Sequence, residues 1–383
     1  MIEKIVIRNF KSLKDVKLEL KPLNVITGIN GVGKSSLIQT LLLFRQSFLK
    51  GEFKEGISLD GELTGNLGSV RDIENISSDE DVIEISINNC INTFRTKTQK
   101  DETILRGRNN LSGIKNNSLF SKSNFQYISA SRISPDSNFK KSSYNIENKQ
   151  FGKNGEHVVS YISEYGKIQS NKQNKGKSQA IVNIVKGENG LFLPLEAQIN
   201  HWLNYISKDV RLNISKVNTT NYNLNFEYFN GTSWDSFTSE NSAFGLTYSL
   251  PVITALLAAS AGDIVIIENP ESDLHPQAQS KLGELIARCA NSGVQVIIET
   301  HSDHILNGIR VAISSSPSFI SNDNTIIFYF YKEAMSSNTL VETIKMDNKG
   351  RIPIKELKTK GISGFFDQID LDYLRILKNQ LGK

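Results

Sequence analysis

"GINGVGKSS" occupies residues 28–36, between the apolar stretches "LNVIT" (23–27) and "LIQTLLLF" (37–44). Residues Gly28 to Ser35 fit the pattern G-x-x-x-x-G-K-[ST] without substitution. The first stretch is rich in β-formers and stops at the glycine, which predicts a strand. After Ser35, residues Leu37, Thr40, Leu41 and Phe44 recur at helical spacing. The glycines therefore sit in a strand-to-helix loop. Glycine lets backbone N–H groups turn inward around a phosphate without Cβ clashes. The helix that follows aims its positive end at the anion. Lys34 would reach the β- and γ-phosphates, and the Ser35 hydroxyl would ligate Mg²⁺. Asn30, Gly31, Val32, Gly33 and Ser36 complete the expected phosphate contacts. A plain turn needs no lysine and serine at those two places. The expected ligands are ATP and Mg²⁺. No guanine-reading N-K-x-D motif stands in a suitable loop.

The bulk properties fit such a protein. The chain has 383 residues, 38% hydrophobic and 22% charged, enough for a large core without staples. Two cysteines, Cys90 and Cys289, argue for a reducing compartment and against a disulfide framework. No signal peptide and no bilayer-spanning run is read, so a cytoplasmic protein without a membrane partner is expected. "LPVITALLAASAG" (250–262), the most apolar stretch, reads as a buried helix.

The net charge of +4 is uneven. Residues 101–180 hold 13 Lys and Arg against 6 Asp and Glu, a local balance of +7, in a setting rich in Asn and Ser. Solvated loops explain this; a surface for nucleic-acid phosphates is the sharper alternative. Aromatics there, such as Phe125, Tyr127 and Tyr144, are too sparse for a stacking platform.

Along the chain, 4–10 and 15–19 alternate as two strands, and 57–70 and 82–97 read as further strands. A helix is expected over 195–209 and a strand over 221–229. Then α and β alternate: helix 246–260, strand 263–268, helix 276–290, strand 294–299, helix 303–313, strand 325–331. This order predicts a mostly parallel sheet flanked by helices. No internal repeat is present.

Two strands end in chemistry. "GDIVIIENPESDLHP" (262–276) closes on Glu268, followed by Asn269, Pro270 and Glu271. A P-loop enzyme needs such a carboxylate beside Mg²⁺. "VQVIIETHSDHIL" (294–306) closes on Glu299-Thr300-His301, where His301 would sense the γ-phosphate.

Together these segments resemble an ATP-binding-cassette (ABC) ATPase of the SMC/RecF/OLD-like class. "IRNFKSLKDVKLEL" resembles the first hairpin of that class, "ENPESDLHP" its Walker B and D-loop, and "ETHSDHIL" its switch-histidine segment. "NSAFGLTYSLPVITALL" (241–257) stands where the signature motif would. "YISASRISP" (127–135), "GKNGEHVVSYI" (152–162) and "GFFDQIDLDYLRIL" (364–377) resemble a bacterial subgroup with a small C-terminal domain of unknown function. The resemblance implies an α/β fold: an ABC-type P-loop ATPase head, with an antiparallel β subdomain and a central insertion. The implied boundaries are 1–97 and 236–332 for the two halves of the ATPase domain, 98–235 for the insertion and 333–383 for the C-terminal domain.

It also implies two subunits that sandwich two ATPs, as a homodimer or a higher oligomer. Ser242, Phe244 and Gly245 would then face the partner's γ-phosphate, and Lys11 would approach the nucleotide. The class carries a second acid after the Mg²⁺-linked carboxylate; this chain has Asn269. An amide holds a water but takes no proton, so turnover should be low unless Glu271 or a partner group stands in. About 80 residues follow His301, and the pair Asp370 and Asp372 lacks the framework of a nuclease domain. The expected role is a clamp regulating an effector such as a nuclease or toxin, in anti-phage defence. The alternative is a DNA-bound clamp in repair or maintenance, although no heptad run predicts a coiled-coil arm.

Overall fold

Alternation builds the N-terminal hairpin. Strands β1 (Lys4–Phe10) and β2 (Leu13–Glu19) pair antiparallel, from Lys4 opposite Glu19 to Phe10 opposite Leu13. Ile5, Ile7, Val16 and Leu18 are buried, while Arg8, Asp15 and Lys17 face water, as period-two patterning requires. Next come β3 (Leu23–Gly28), buried at every position, and α1 (Lys34–Lys50). The computed structural model describes residues 1–51, 56–88, 90–108, 118–121, 125–136, 138–148, 150–167, 193–360 and 368–380.

The span 57–70 forms three two-residue strands instead of long ones: β4 (Ile57–Ser58), β5 (Asp60–Gly61) and β6 (Gly65–Asn66). Its glycines break the run, with Gly65 at φ +67° and Gly68 at φ +84°. A single helical turn, α2 (Val70–Ile73), follows, started by a capping box of Ser69 and Asp72. The span 82–97 is a hairpin, β7 (Val82–Ile87) with β8 (Cys90–Arg95). Then come β9 (Ile104–Leu105) and β10 (Gly107–Arg108). An antiparallel sheet in the order β10-β8-β7-β1-β2 results.

The segment expected as an insertion gives the main sheet one of its strands. This is β11 (Phe125–Ile128), which pairs parallel with β16 (Ile264–Glu268), described below. Phe125 and Tyr127 are buried there and form no stacking surface. After β12 (Phe139–Lys140) and α3 (Ser143–Glu147) come α4 (Val158–Tyr165) and α5 (Leu195–Leu203). Strands β13 (Val210–Lys216), β14 (Asn221–Phe229) and β15 (Trp234–Thr238) form a small antiparallel sheet with β12. Parts of the basic Asn/Ser-rich sequence, chiefly 109–117 and 168–180, lie outside the described residues.

The final third alternates as expected: α6 (Phe244–Ala258), β16, α7 (Pro276–Asn291), β17 (Gln295–Glu299), α8 (Asp303–Ser314) and β18 (Thr325–Tyr331). The antiparallel strand β19 (Leu340–Ile344) and the helices α9 (Ile354–Thr359) and α10 (Gln368–Gln380) close the chain. Asp372 is exposed on α10, as a surface acid should be; the side chain of Asp370 lies outside the described residues. Among the described residues, no helix is long and apolar enough to cross a membrane.

The central sheet runs β11-β16-β17-β3-β18-β19, parallel but for β19. Its strands are near-continuous apolar runs because both faces are covered. Val25, Val265, Ile267, Val296 and Ile298 pack in a core with α4 to α8. Ile26, Ile264, Ile266 and Ile297 face the other way, into a core with α1 and the N-terminal sheet. The strand order places Gly28, Glu268 and Glu299 at one edge, the carboxyl ends of three adjacent parallel strands. Ligands of open α/β sheets bind at that edge.

Candidate functional site

The glycine loop is a tight cradle. Gly28 sits at φ +144°, and a Cβ there would fall 2.1 Å from the carbonyl oxygen of Phe330 on β18. Gly33, at φ +95°, caps α1 without a side-chain cap bond. A Cβ on Gly33 would fall 2.5 Å from Ser12 Oγ and 2.8 Å from Thr339 Oγ1. Thr339 also donates to the carbonyl of Val32 at 2.6 Å, so the turn between β1 and β2 and the approach to β19 support the loop from behind. Val32 is buried as the loop's anchor, whereas Asn30, Gly31 and Ser35 face solvent and Ser36 is half-buried. A 17-residue helix starting at Lys34 points its positive end into the cradle. These features fit a phosphate chain.

Lys34 donates to the carbonyls of Gly28 (2.9 Å) and Ile29 (2.8 Å). Burial lowers its pKa, and the charge of Glu299 opposes that. Lys11, at φ +50°, donates through Nζ to Gln39 Oε1 (2.8 Å), one turn beyond Ser35 on α1. Burial lowers its pKa too. The structure thus sets Lys11 beside the loop helix.

Strands β16 and β17 run in register, so Glu268 and Glu299 lie side by side. The Ser35 hydroxyl donates toward both oxygens of Glu299, each at 3.2 Å. Burial and the neighbouring Glu268 charge push the Glu299 pKa up to about 7, against the pull of Lys34 and Ser35. Glu268 is also raised by burial. The Tyr127 hydroxyl and the Ala130 N–H (3.4 Å) bond to its carboxylate and counter part of that rise. Mg²⁺ is commonly held by one or two carboxylates together with substrate phosphates. Ser35, Glu268 and Glu299 supply hard oxygen donors of that kind.

Glu299 received no role in the sequence reading. Its signal was present: an acid closing an apolar strand, as Glu268 does. Tyr127 had no comparable signal.

Asn269 adopts φ +44°. Its N–H donates to the Glu299 carbonyl (2.8 Å), and its own carbonyl accepts from Arg132 Nη2 (2.8 Å). No hydrogen bond engages its side-chain amide among the described residues. Glu271 accepts from Thr300 Oγ1 and from the His301 N–H, both at 2.8 Å. Both its oxygens thus brace the switch segment, each through one of its lone pairs. His301 reaches solvent, and partial burial and the Lys34 charge hold its pKa below the usual value.

At the start of α6, the Ser242 hydroxyl donates to the Thr238 carbonyl (3.0 Å). A Cβ on Gly245 would fall 2.6 Å from the Asp273 carbonyl, so this end of α6 packs on the turn after β16. Phe244 is exposed and stacks on Tyr248 at 5.2 Å.

Residues 23–307 match the family model described as "AAA domain, putative AbiEii toxin, Type IV TA system". The chain belongs to this family of AAA domains. The match spans the glycine loop, Walker B and the switch segment. No curated protein matches the chain. Among solved structures, it is similar to an SMC head bound to the C-terminal winged-helix domain of ScpA. That pair shares 13% identity with a TM-score of 0.50, covering 90% of this chain and 98% of the other. It is also similar to an SMC head with an extended coiled coil, bound to the C-terminal domain of ScpA, from Pyrococcus furiosus. Here identity is 13% and the TM-score 0.52, with 94% and 98% covered. At this identity the likeness shows the fold, that of an SMC-type ATPase head, in agreement with the resemblance carried by the motifs.

Proposed function

We propose that this AAA-family chain binds ATP with Mg²⁺, hydrolyses it slowly, and closes in pairs around two nucleotides. One observation carries the reading. The glycine cradle, Lys34, Ser35 and the Glu268–Glu299 pair converge at one sheet edge, and an amide, Asn269, stands next in line. Asn30, Gly31, Val32, Gly33, Lys34, Ser35 and Ser36 wrap the phosphates. Ser35 and Glu268, with Glu299 beside them, hold the metal, which when bound neutralises phosphate charge. Asn269 orients the water, Glu271 holds the switch segment in place, and His301 meets the γ-phosphate. Ser242 and Gly245 close on the second copy's nucleotide, and Lys11, beside α1, approaches the nucleotide held by its own loop.

A slowly turning, ATP-gated dimer suits a regulatory clamp better than a motor. The partner we infer is an effector, a nuclease or toxin, in bacterial defence against phage. The matching family, named for a putative toxin of a type IV toxin–antitoxin system, supports that direction over DNA maintenance.

The test is ATP turnover per chain measured across a range of protein concentrations. Sites completed by a second copy give turnover that rises with concentration and saturates. Turnover per chain independent of concentration contradicts the paired site.

A further inference from the structure

Arg132 follows β11, in "SASRISP", with only 5% of its surface exposed. A buried guanidinium is costly unless its donors are met. Nη2 donates to two consecutive backbone carbonyls of the turn after β16, those of Glu268 and Asn269. The guanidinium also lies over the Tyr248 ring on α6, 5.1 Å from its centroid. Among the described residues, nothing accepts a hydrogen bond from the buried Nε and Nη1. The carboxylates that reach the group are those of Glu271, Glu268 and Asp273. They partly offset burial, which brings its pKa down to about 10, so it is cationic at neutral pH.

Tyr248 is tied on both sides. Its hydroxyl donates to the Ala130 carbonyl at 2.6 Å, and its ring stacks on the exposed Phe244. A continuous line of contacts therefore runs from Phe244 through Tyr248 and Arg132 to Asn269. At its inner end is a residue in a left-handed conformation that persists only when its surroundings hold it. At its outer end is an aromatic ring in solvent. Three of the five guanidinium N–H donors, those on Nε and Nη1, are thus unmet by described protein atoms, whereas both bonds that the group makes go to the Glu268–Asn269 backbone.

We propose that Arg132 is a positioning residue that couples the outer end of α6 to the Asn269 backbone. A surface pressing on Phe244, in the first place a second copy of this chain, thereby sets the amide that orients the attacking water. This rests on the reading of Asn269 given above.

The test is steady-state ATP hydrolysis and equilibrium ATP binding by the full chain and by Arg132→Lys, Phe244→Ala and the double variant. Lysine keeps the charge but not the planar fork that stacks on a ring. Arg132→Lys should lower kcat by about tenfold, with ATP affinity within about twofold of wild type. Phe244→Ala, a change at an exposed ring, should lower kcat in the same way with the melting temperature unchanged. The double variant should be no slower than Arg132→Lys alone, because both act through one line of contacts. A merely structural Arg132 would weaken ATP binding and thermal stability together, with additive effects, and that overturns the inference. So does wild-type kcat in Arg132→Lys or in Phe244→Ala. A wild-type chain that does not hydrolyse ATP overturns the functional reading and this inference with it; a hydrolysing chain indifferent to both substitutions overturns the inference alone.

Discussion

The Ser35 hydroxyl and the Glu299 carboxylate meet at 3.2 Å, although 264 positions separate them in the sequence. This contact ties the glycine loop's helix to the tip of the neighbouring strand β17. It also places the hydroxyl beside two acids, since Glu268 lies next to Glu299 in the ladder.

The acid pair gives the first prediction. Glu299 in the fold keeps its proton up to about pH 7, against an ordinary value of 4.5. Between these values the folded chain binds more protons than the unfolded one. The contribution to stability is thus complete below about pH 4.5 and is lost as pH rises toward 7. The slope from this group is at most about 1.4 kcal/mol per pH unit. In chelator and without nucleotide, Glu299→Gln should flatten the fall in melting temperature over that window. An unchanged slope would show that Glu299 titrates normally.

In the proposed function, Asn269 limits the rate. An acid at this place would add general-base help, which is worth about 10²–10⁴-fold. Asn269→Glu should therefore raise kcat toward the lower end of that range, measured as phosphate release at saturating ATP. No increase would place the base elsewhere.

The cradle's glycines should differ in cost. At Gly28 a methyl group meets the backbone of β18, so Gly28→Ala should cost about 3 kcal/mol or more in thermal unfolding. At Gly31, φ is +76° but nothing lies within 4 Å, so Gly31→Ala should cost about 1–2 kcal/mol, from strain alone. Equal costs would show that the loop relaxes and the close approach to Phe330 is soft.

Much of this was legible in the sequence because it is local. The glycine loop, the Glu268 and His301 strand tips and the alternating final third each follow from periodicity and spacing within about twenty residues. The parallel sheet followed from that alternation. What escaped was set by contacts far apart in the chain. Nothing near Tyr127 announces that β11 will pair with β16 and bring its hydroxyl to Glu268. Nothing in "SASRISP" says that Arg132 will lie under Asn269. The strands expected over 57–70 are shorter because Gly65 and Gly68 take positive φ, which ends strand pairing despite the β-rich composition around them.

Glu271 offers a discriminating pair of variants. Both its oxygens accept bonds from Thr300 and His301, so Glu271→Ala should cost about 1.5–3 kcal/mol. Glu271→Gln, which keeps one acceptor oxygen, should recover part of that loss. A base role would show instead as kcat lost in the Gln variant with stability unchanged.

The most direct measurement is the mass of the chain in solution by light scattering, with and without ATP and Mg²⁺. Wild type should double in mass only when both are present, and Lys34→Ala should stay at its nucleotide-free mass throughout. A wild-type mass indifferent to ATP, or a Lys34→Ala chain that pairs equally well, would contradict closure of two copies around shared nucleotides.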